Sequence, residues 1–163
     1  FRSFIDPDDP IFTPAGNIPD RIRDYCRKTN QDVPRNEAEI VRCINESLAF
    51  KYRIALEEIE DCTDKKYSKL YMLGGGTQSR LLSQMTANAC NIKVYGGPIE
   101  ATVLGNIAIQ LIASGNIKDL KEARRIINDS HNIDEYIPKE SKLWDKEFSR
   151  FKKIIKKGEL IKC

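Results

Sequence analysis

No run of about eighteen or more apolar residues occurs in this chain, so nothing in it reads as a membrane span. It has one histidine, His131, and five cysteines (Cys26, Cys43, Cys62, Cys90 and Cys163) with no Cys-x-x-Cys pair, which leaves no zinc site of familiar spacing. An odd number of cysteines at irregular intervals points to reduced thiols and a cytoplasmic protein; a Cys26–Cys43 crosslink stays open if the helices carrying them pack together. Charge of one sign is also scarce. Lys and Arg number 27 against 24 Asp and Glu, an excess of three that is too small to mark a nucleic-acid binder. No Gly-Lys-Ser/Thr occurs, which excludes a Walker-type phosphate loop, and no third glycine completes a dinucleotide fingerprint. The chain opens on Phe1-Arg2-Ser3, without the basic start, apolar stretch and cleavage site of a secretion signal; we expect a piece of a longer protein.

What is present is an ordinary globular composition, 40% apolar and 31% charged over 163 residues, enough for one unit with a core. Residues 1–18 hold Pro7, Pro10, Pro14 and Gly16 and are expected to form a loop-rich, turning entrance. Pro19 suits a first helical turn, and Ile22, Tyr25 and Cys26 mark the apolar side of a helix ending near Thr29-Asn30. Asn36 with Glu39 reads as a capping box. After it Ile40, Ile44, Leu48, Tyr52, Leu56 and Ile59 predict a helix of about six turns. Leu81, Leu82, Met85 and Ala89 predict a short helix, Ile92 to Tyr95 a strand, and Pro98 the start of another helix. On that last helix Val103, Leu104, Ile107, Ala108, Leu111 and Ile112 are expected to face inward, with Gly115 ending it and Asp119 with Glu122 capping the next.

Chemistry concentrates where an apolar strand, Leu70-Tyr71-Met72-Leu73, runs into Gly74-Gly75-Gly76 and then into a helical pattern. Three residues without Cβ let the backbone turn sharply and let a ligand approach the N–H groups of the new helix. Spacing alone leaves two readings open, a tight structural turn needing positive φ and a nucleotide cradle. A second strand–turn–helix follows at Ile92 to Asn106, and the order implies two parallel strands joined by a right-handed crossover. Two strands are a poor place for a sheet to stop, so further strands are expected upstream of Phe1.

The run Gly74-Gly75-Gly76-Thr77-Gln78-Ser79-Arg80-Leu81-Leu82, followed by Gly97-Pro98-Ile99-Glu100-Ala101-Thr102-Val103-Leu104-Gly105-Asn106, resembles the rhamnulokinases, sugar kinases of the superfamily that includes actin and hexokinase. Phe4-Ile5-Asp6-Pro7-Asp8-Asp9-Pro10 and the stretch Glu39 to Ala49 are similar to the same family in the same order, so the resemblance spans most of the chain. Two positions depart from it: Ser79 stands where many relatives carry Asn, and Asn88 where they usually carry Asp. The resemblance implies an α/β fold, the C-terminal portion of an actin-like (ribonuclease H-like) ATPase domain, mostly helical with a short parallel sheet. It further implies that Gly74, Gly75 and Gly76 lie against the adenosine of ATP, with Gln78 and Ser79 near the purine or ribose.

By the same resemblance the catalytic aspartate, the Mg2+ site and the sugar site belong to the kinase's own N-terminal lobe, ahead of this region, and the substrate is a ketose such as L-rhamnulose. No residue here is a catalytic candidate. Asp6, Asp8 and Asp9 sit among prolines and are expected to make turns or interlobe contacts. Glu100, Thr102 and Asn106 read as helix-start and packing residues, and Trp144, Phe148, Phe151 and Ile155 as the core side of a C-terminal helix whose lysines are solvated. His131 is expected in a surface loop. The rival reading is a non-catalytic nucleotide-gated or interaction module of the same fold.

Overall fold

The computed structural model describes residues 1–160 and is built on helices. The elements run α1 (Ile18–Lys28), α2 (Glu37–Thr63), β1 (Lys69–Met72), α3 (Arg80–Cys90), β2 (Lys93–Gly96), α4 (Ala101–Ala113), α5 (Leu120–Ser130), β3 (Asp134–Tyr136) and α6 (Ser141–Leu160). Cys163 lies outside the described residues.

The entrance segment is irregular, as its prolines dictate, apart from one 3-10 turn at Pro10–Phe12, yet it is bound into the core. Phe4 donates its N–H to Gln31 Oε1 at 2.8 Å and its carbonyl accepts from Gln31 Nε2 at 2.7 Å, so a side-chain amide replaces a neighbouring strand. Ile5 N–H donates to Ser47 Oγ at 3.0 Å. Asp6 and Asp8 reach Lys51 Nζ at 3.4 and 2.7 Å, and Asp9 caps the 3-10 turn by accepting from Ile11 N–H at 3.0 Å.

α2 begins where the capping box places it: Asn36 Oδ1 accepts from Glu39 N–H at 2.9 Å, while Glu39 reaches back to Arg35 N–H at 2.7 Å. Its 27 residues make about seven and a half turns, longer than the periodicity predicts. Only the first half is buried, through Ile40, Cys43, Ala49 and Phe50; Tyr52 and Ile59 are exposed. α6 closes the core with Trp144, Phe148, Phe151 and Ile154, spaced four, three and three along one face. Phe50, fully buried, sits 5.2 to 5.5 Å from the rings of Phe4, Trp144, Phe148 and Phe151. Burying each such ring stabilises the fold by about 1.5–3 kcal/mol. Arg53 and Arg150 cover the cluster's rim, their guanidinium carbons 4.2 Å from the Phe148 centroid and 4.9 Å from that of Phe4.

Cys26 and Cys43 do meet inside this core, as free thiols. The Cys43 thiol donates to Cys26, which holds Cys26 below the usual thiol range and, with burial, pushes Cys43 up.

The sheet corrects the expectation of a short parallel sheet. β1 and β2 are parallel, Leu70 opposite Val94 and Met72 opposite Gly96, but β2 pairs on its other side with an antiparallel β3, Val94 opposite Tyr136. The order β1-β2-β3 makes a mixed sheet, with its third strand drawn from downstream of the parallel pair. The segment after His131, which carries no apolar alternation, becomes a strand because Tyr136 packs with Val94 and Ala87 and because Asn88 Oδ1 accepts from Lys139 N–H at 2.9 Å. His131 itself is exposed.

α3 lies between the sheet, which Ala87 meets beside Val94 and Tyr136, and the main core, which Met85 and Ala89 join, whereas Leu81, expected inside, is 47% exposed. The largest correction falls on α4. Of its six residues expected to face inward, only Ala108 is buried, against Ile117 and Ala123 with Ile112 and Ile127 around them. Val103 and Ile107 stay 49% exposed and Leu111 36%, because α4 packs chiefly on α5.

Candidate functional site

β1 and β2 run parallel, so their carboxyl ends open on the same side, where open α/β sheets receive ligands. After β1 the chain passes Leu73 and turns at Gly74, whose φ of 83° and ψ of −167° belong to a region that is essentially glycine's alone. The Gly74 carbonyl accepts from Thr77 N–H at 3.1 Å and from Thr77 Oγ1 at 2.7 Å, closing a 3-10 turn over Gly75–Gln78. Ser79 N–H then donates to Gly76 O at 3.2 Å, and Ser79 Oγ caps α3 by accepting from Leu82 N–H at 3.3 Å.

Two bonds stitch this turn to the connection after β2: Gly74 N–H donates to Pro98 O at 3.3 Å and Gly97 N–H to Met72 O at 2.8 Å. The approach is close enough that a Cβ on Gly97 would lie 2.4 Å from Leu73 Cδ2. The two connections therefore form one braced edge beside the N-terminus of α3. Orphan N–H groups and the positive end of the helix dipole collect there, with no acidic residue in the first turn. Arg80, 82% exposed, stands at the same end with its Nε 3.8 Å from Asp134 of β3.

The three glycines are not equivalent. Gly74 alone has positive φ, which corrects the reading of a turn that needs it throughout. A Cβ built on Gly75 or Gly76 meets nothing within 4 Å, and both residues are exposed. The fold itself thus requires glycine at Gly74 and leaves open space over Gly75 and Gly76. Gln78 is exposed and Ser79 half-buried on the same turn, so the structure brings all five singled-out residues into one patch. The Ser79 oxygen is engaged as a helix cap, while its hydroxyl proton remains available for donation.

The supports of this patch are less visible in the sequence. Thr77 closes the turn, a short-range hydroxyl-to-carbonyl bond that the residue type permits without announcing it. Asn88, buried on α3, accepts from Gln84 Nε2 at 2.8 Å as well as from Lys139 N–H, tying the segment after β3 to the helix that starts at the turn. Glu100, Thr102 and Asn106 are exposed, and Glu100 occupies the N-cap position of α4 without a side-chain capping bond. Elsewhere a half-open hollow of about 400 Å³ lies between residues 1–3, the 32–36 loop and α2. At its base Glu46, 1% exposed, binds Arg42 Nε at 2.5 Å through Oε1, but none of the glycine-turn residues lines it.

Residues 1–114 match the FGGY family of carbohydrate kinases, C-terminal domain. The chain is 40% identical over 156 residues to a rhamnulokinase of Bacteroides thetaiotaomicron, covering 96% of this chain and 32% of that protein. It is 40% identical over 140 residues to a rhamnulokinase of Bacillus subtilis, 86% of this chain and 29% of the relative. A rhamnulokinase of Enterococcus faecalis is 41% identical over 138 residues, 83% and 28%. The chain therefore spans about three tenths of the length of the curated relatives it matches.

Proposed function

Because this chain belongs to the FGGY family of carbohydrate kinases, we propose that it forms the adenosine side of the nucleotide cleft of an ATP-dependent ketose kinase, with L-rhamnulose as the substrate. The observation that carries this reading is the open space over Gly75 and Gly76, two glycines that the backbone does not need. Bare backbone facing open space at the end of a parallel strand pair suits a flat aromatic base or ribose. A side chain at either position would fill that space. Gly74 sets the direction of the turn, Gln78 supplies an amide for the polar edge of the base or the sugar hydroxyls, and Ser79 offers its hydroxyl proton.

When bound, ATP with Mg2+ supplies the phosphoryl group that passes to a hydroxyl of the ketose. This chain's own residues hold and orient the nucleoside end. The general base, the metal site and the sugar contacts belong in this reading to the N-terminal lobe of the same protein, closing on this one to exclude water. The similarity to proteins named rhamnulokinase supports the choice of sugar. An actin-like ATPase architecture and a cytoplasmic location follow from the same reading.

The experiment is a phosphoryl-transfer screen of the full-length protein over ketoses and polyols with ATP, run beside the Gly75→Val variant. L-rhamnulose is expected to give the highest kcat/KM. Absence of transfer to every ketose, or an unchanged ATP affinity in the variant, refutes the proposal.

A further inference from the structure

The residues from Gly74 to Ser79 carry no charge, and the turn they form is followed at once by Arg80, the first residue of α3. Its partner comes from another element. β3 runs antiparallel to β2 and places Asp134 opposite Gly96, the last residue of β2, so a carboxylate is delivered to the rim of the sheet that the glycine turn occupies. There Arg80 Nε and Asp134 Oδ2 face each other at 3.8 Å.

That distance is too long for a hydrogen bond, and both side chains are exposed, Arg80 by 82% and Asp134 by 56%. An exposed pair of this kind contributes little to stability. The next acid along β3 is satisfied: Glu135 takes Lys93 Nζ at 2.9 Å and accepts from Tyr95 Oη at 3.0 Å. Asp134 is fixed from its own strand, where the buried Tyr136 aims its hydroxyl at Oδ2 from 3.5 Å. The sheet thus holds the carboxylate in place, and the guanidinium, with no other ion-pair partner among the described residues, is the member free to move.

We infer that Arg80 leaves Asp134 to bind the phosphate chain of the nucleotide, and that Asp134 competes for it, so the pair sets the site's preference for a nucleoside phosphate over a bare nucleoside. The inference rests on the nucleotide reading of the glycine turn. With adenosine over Gly75 and Gly76, the next group along the ligand is the phosphate chain, and Arg80 is the cation standing beside an otherwise uncharged turn. A guanidinium meets a phosphate through two parallel N–H···O bonds, whereas its contact with Asp134 includes no hydrogen bond. The exchange replaces a poor pair with a good one. Asp134 stays in water and keeps the Tyr136 hydroxyl, so releasing Arg80 costs little.

The test is calorimetric titration of the full-length protein with ATP, with adenosine measured by competition against it. Arg80→Ala is expected to weaken ATP by about tenfold or more, the loss of a hydrogen-bonded charge contact, and to leave adenosine unchanged. Arg80→Lys keeps the charge without the fork and should fall between. Asp134→Asn removes the competitor and should tighten ATP by up to about fivefold in the parent, with no effect in an Arg80→Ala background. A purely structural tie between α3 and β3 would move the melting midpoint and not the ratio of the two affinities. ATP and adenosine weakened alike by Arg80→Ala, an unchanged ATP affinity in that variant, or a weaker one in Asp134→Asn overturns the inference. Gly75→Val separates the two readings. If it weakens both ligands while Arg80→Ala leaves their ratio unchanged, this inference alone fails; if it weakens neither, the nucleotide reading fails and this inference with it.

Discussion

Substituting Gly74 and Gly75 separately divides the turn's structural role from its ligand role. At Gly74, with φ 83° and ψ −167°, a Cβ puts the backbone in a region that costs on the order of 1–3 kcal/mol to hold. For a unit of this size each 1 kcal/mol lowers the melting midpoint by roughly 2–4 °C, so Gly74→Ala should lower it by about 2–12 °C. At Gly75 the backbone is compatible with a side chain and nothing lies within 4 Å of the new Cβ. Loss of the glycine's freedom in the unfolded chain then offsets the poorer fit of a β-branched residue, and Gly75→Val should stay within about 1 kcal/mol of the parent. The nucleotide predicts the reverse order. In the full-length protein Gly75→Val places a branched side chain where the proposed function puts the adenosine, and overpacking of that kind costs about 1–3 kcal/mol. That is roughly a 5- to 150-fold weaker Kd for ATP.

Thermal unfolding by circular dichroism of the 163-residue chain and calorimetric titration of the full-length variants with ATP read the two effects independently. If Gly75→Val melts early and its folded fraction keeps the parent's ATP affinity, the glycines serve the turn only. A Gly75→Val protein that is both stable and tight-binding refutes the reasoning equally, since the open space would then hold nothing.

The remaining predictions are simpler. The isolated chain should show no rhamnulose kinase activity at any ATP concentration, since the base and the sugar site lie elsewhere in the proposed enzyme; product formation by the chain alone would contradict this. Gly158→Ala should cost about 1–3 kcal/mol despite alanine's better helix propensity, because its Cβ would lie 2.5 Å from the buried Tyr25 hydroxyl; pairing it with Tyr25→Phe should recover part of the loss on a denaturant titration. Iodoacetamide at pH 8 should label the exposed Cys62 well before Cys43 and Cys90, since burial pushes the Cys90 thiol up to about 12 and Cys43 is raised through its bond to Cys26, and peptide mass mapping gives the order.

Much of the helical frame is legible in the residues because each signal is local. Asn36 and Asp119 cap their helices through the third residue on, Gly115 ends α4 at φ 78°, and the spacing of Trp144, Phe148 and Phe151 forecasts the buried side of α6. What escapes is decided at a distance. β3 is three residues, two of them acidic, and becomes a strand only because β2 offers an edge and Asn88 an acceptor. The expected burial of Leu81 fails for a related reason: the buried residues of α3 run from Leu82 to Ala89 between the sheet and the helical core, and Leu81 lies at its exposed start, outside both.

The candidate site divides along the same line. The pattern strand, three glycines, helix announces a sharp backbone reversal, and the reversal is there. It does not say which glycine the reversal needs, because φ depends on how the turn is braced by Thr77 and by the connection at Pro98, both of which are tertiary facts. Once Gly74 is seen to satisfy the turn alone, Gly75 and Gly76 are free of that demand, and the proposed nucleotide against their bare backbone gives glycine a use there. α4 obeys the same logic in mirror image. Its periodicity records that Val103, Ile107 and Leu111 need a cover, and periodicity carries no information about which segment provides it.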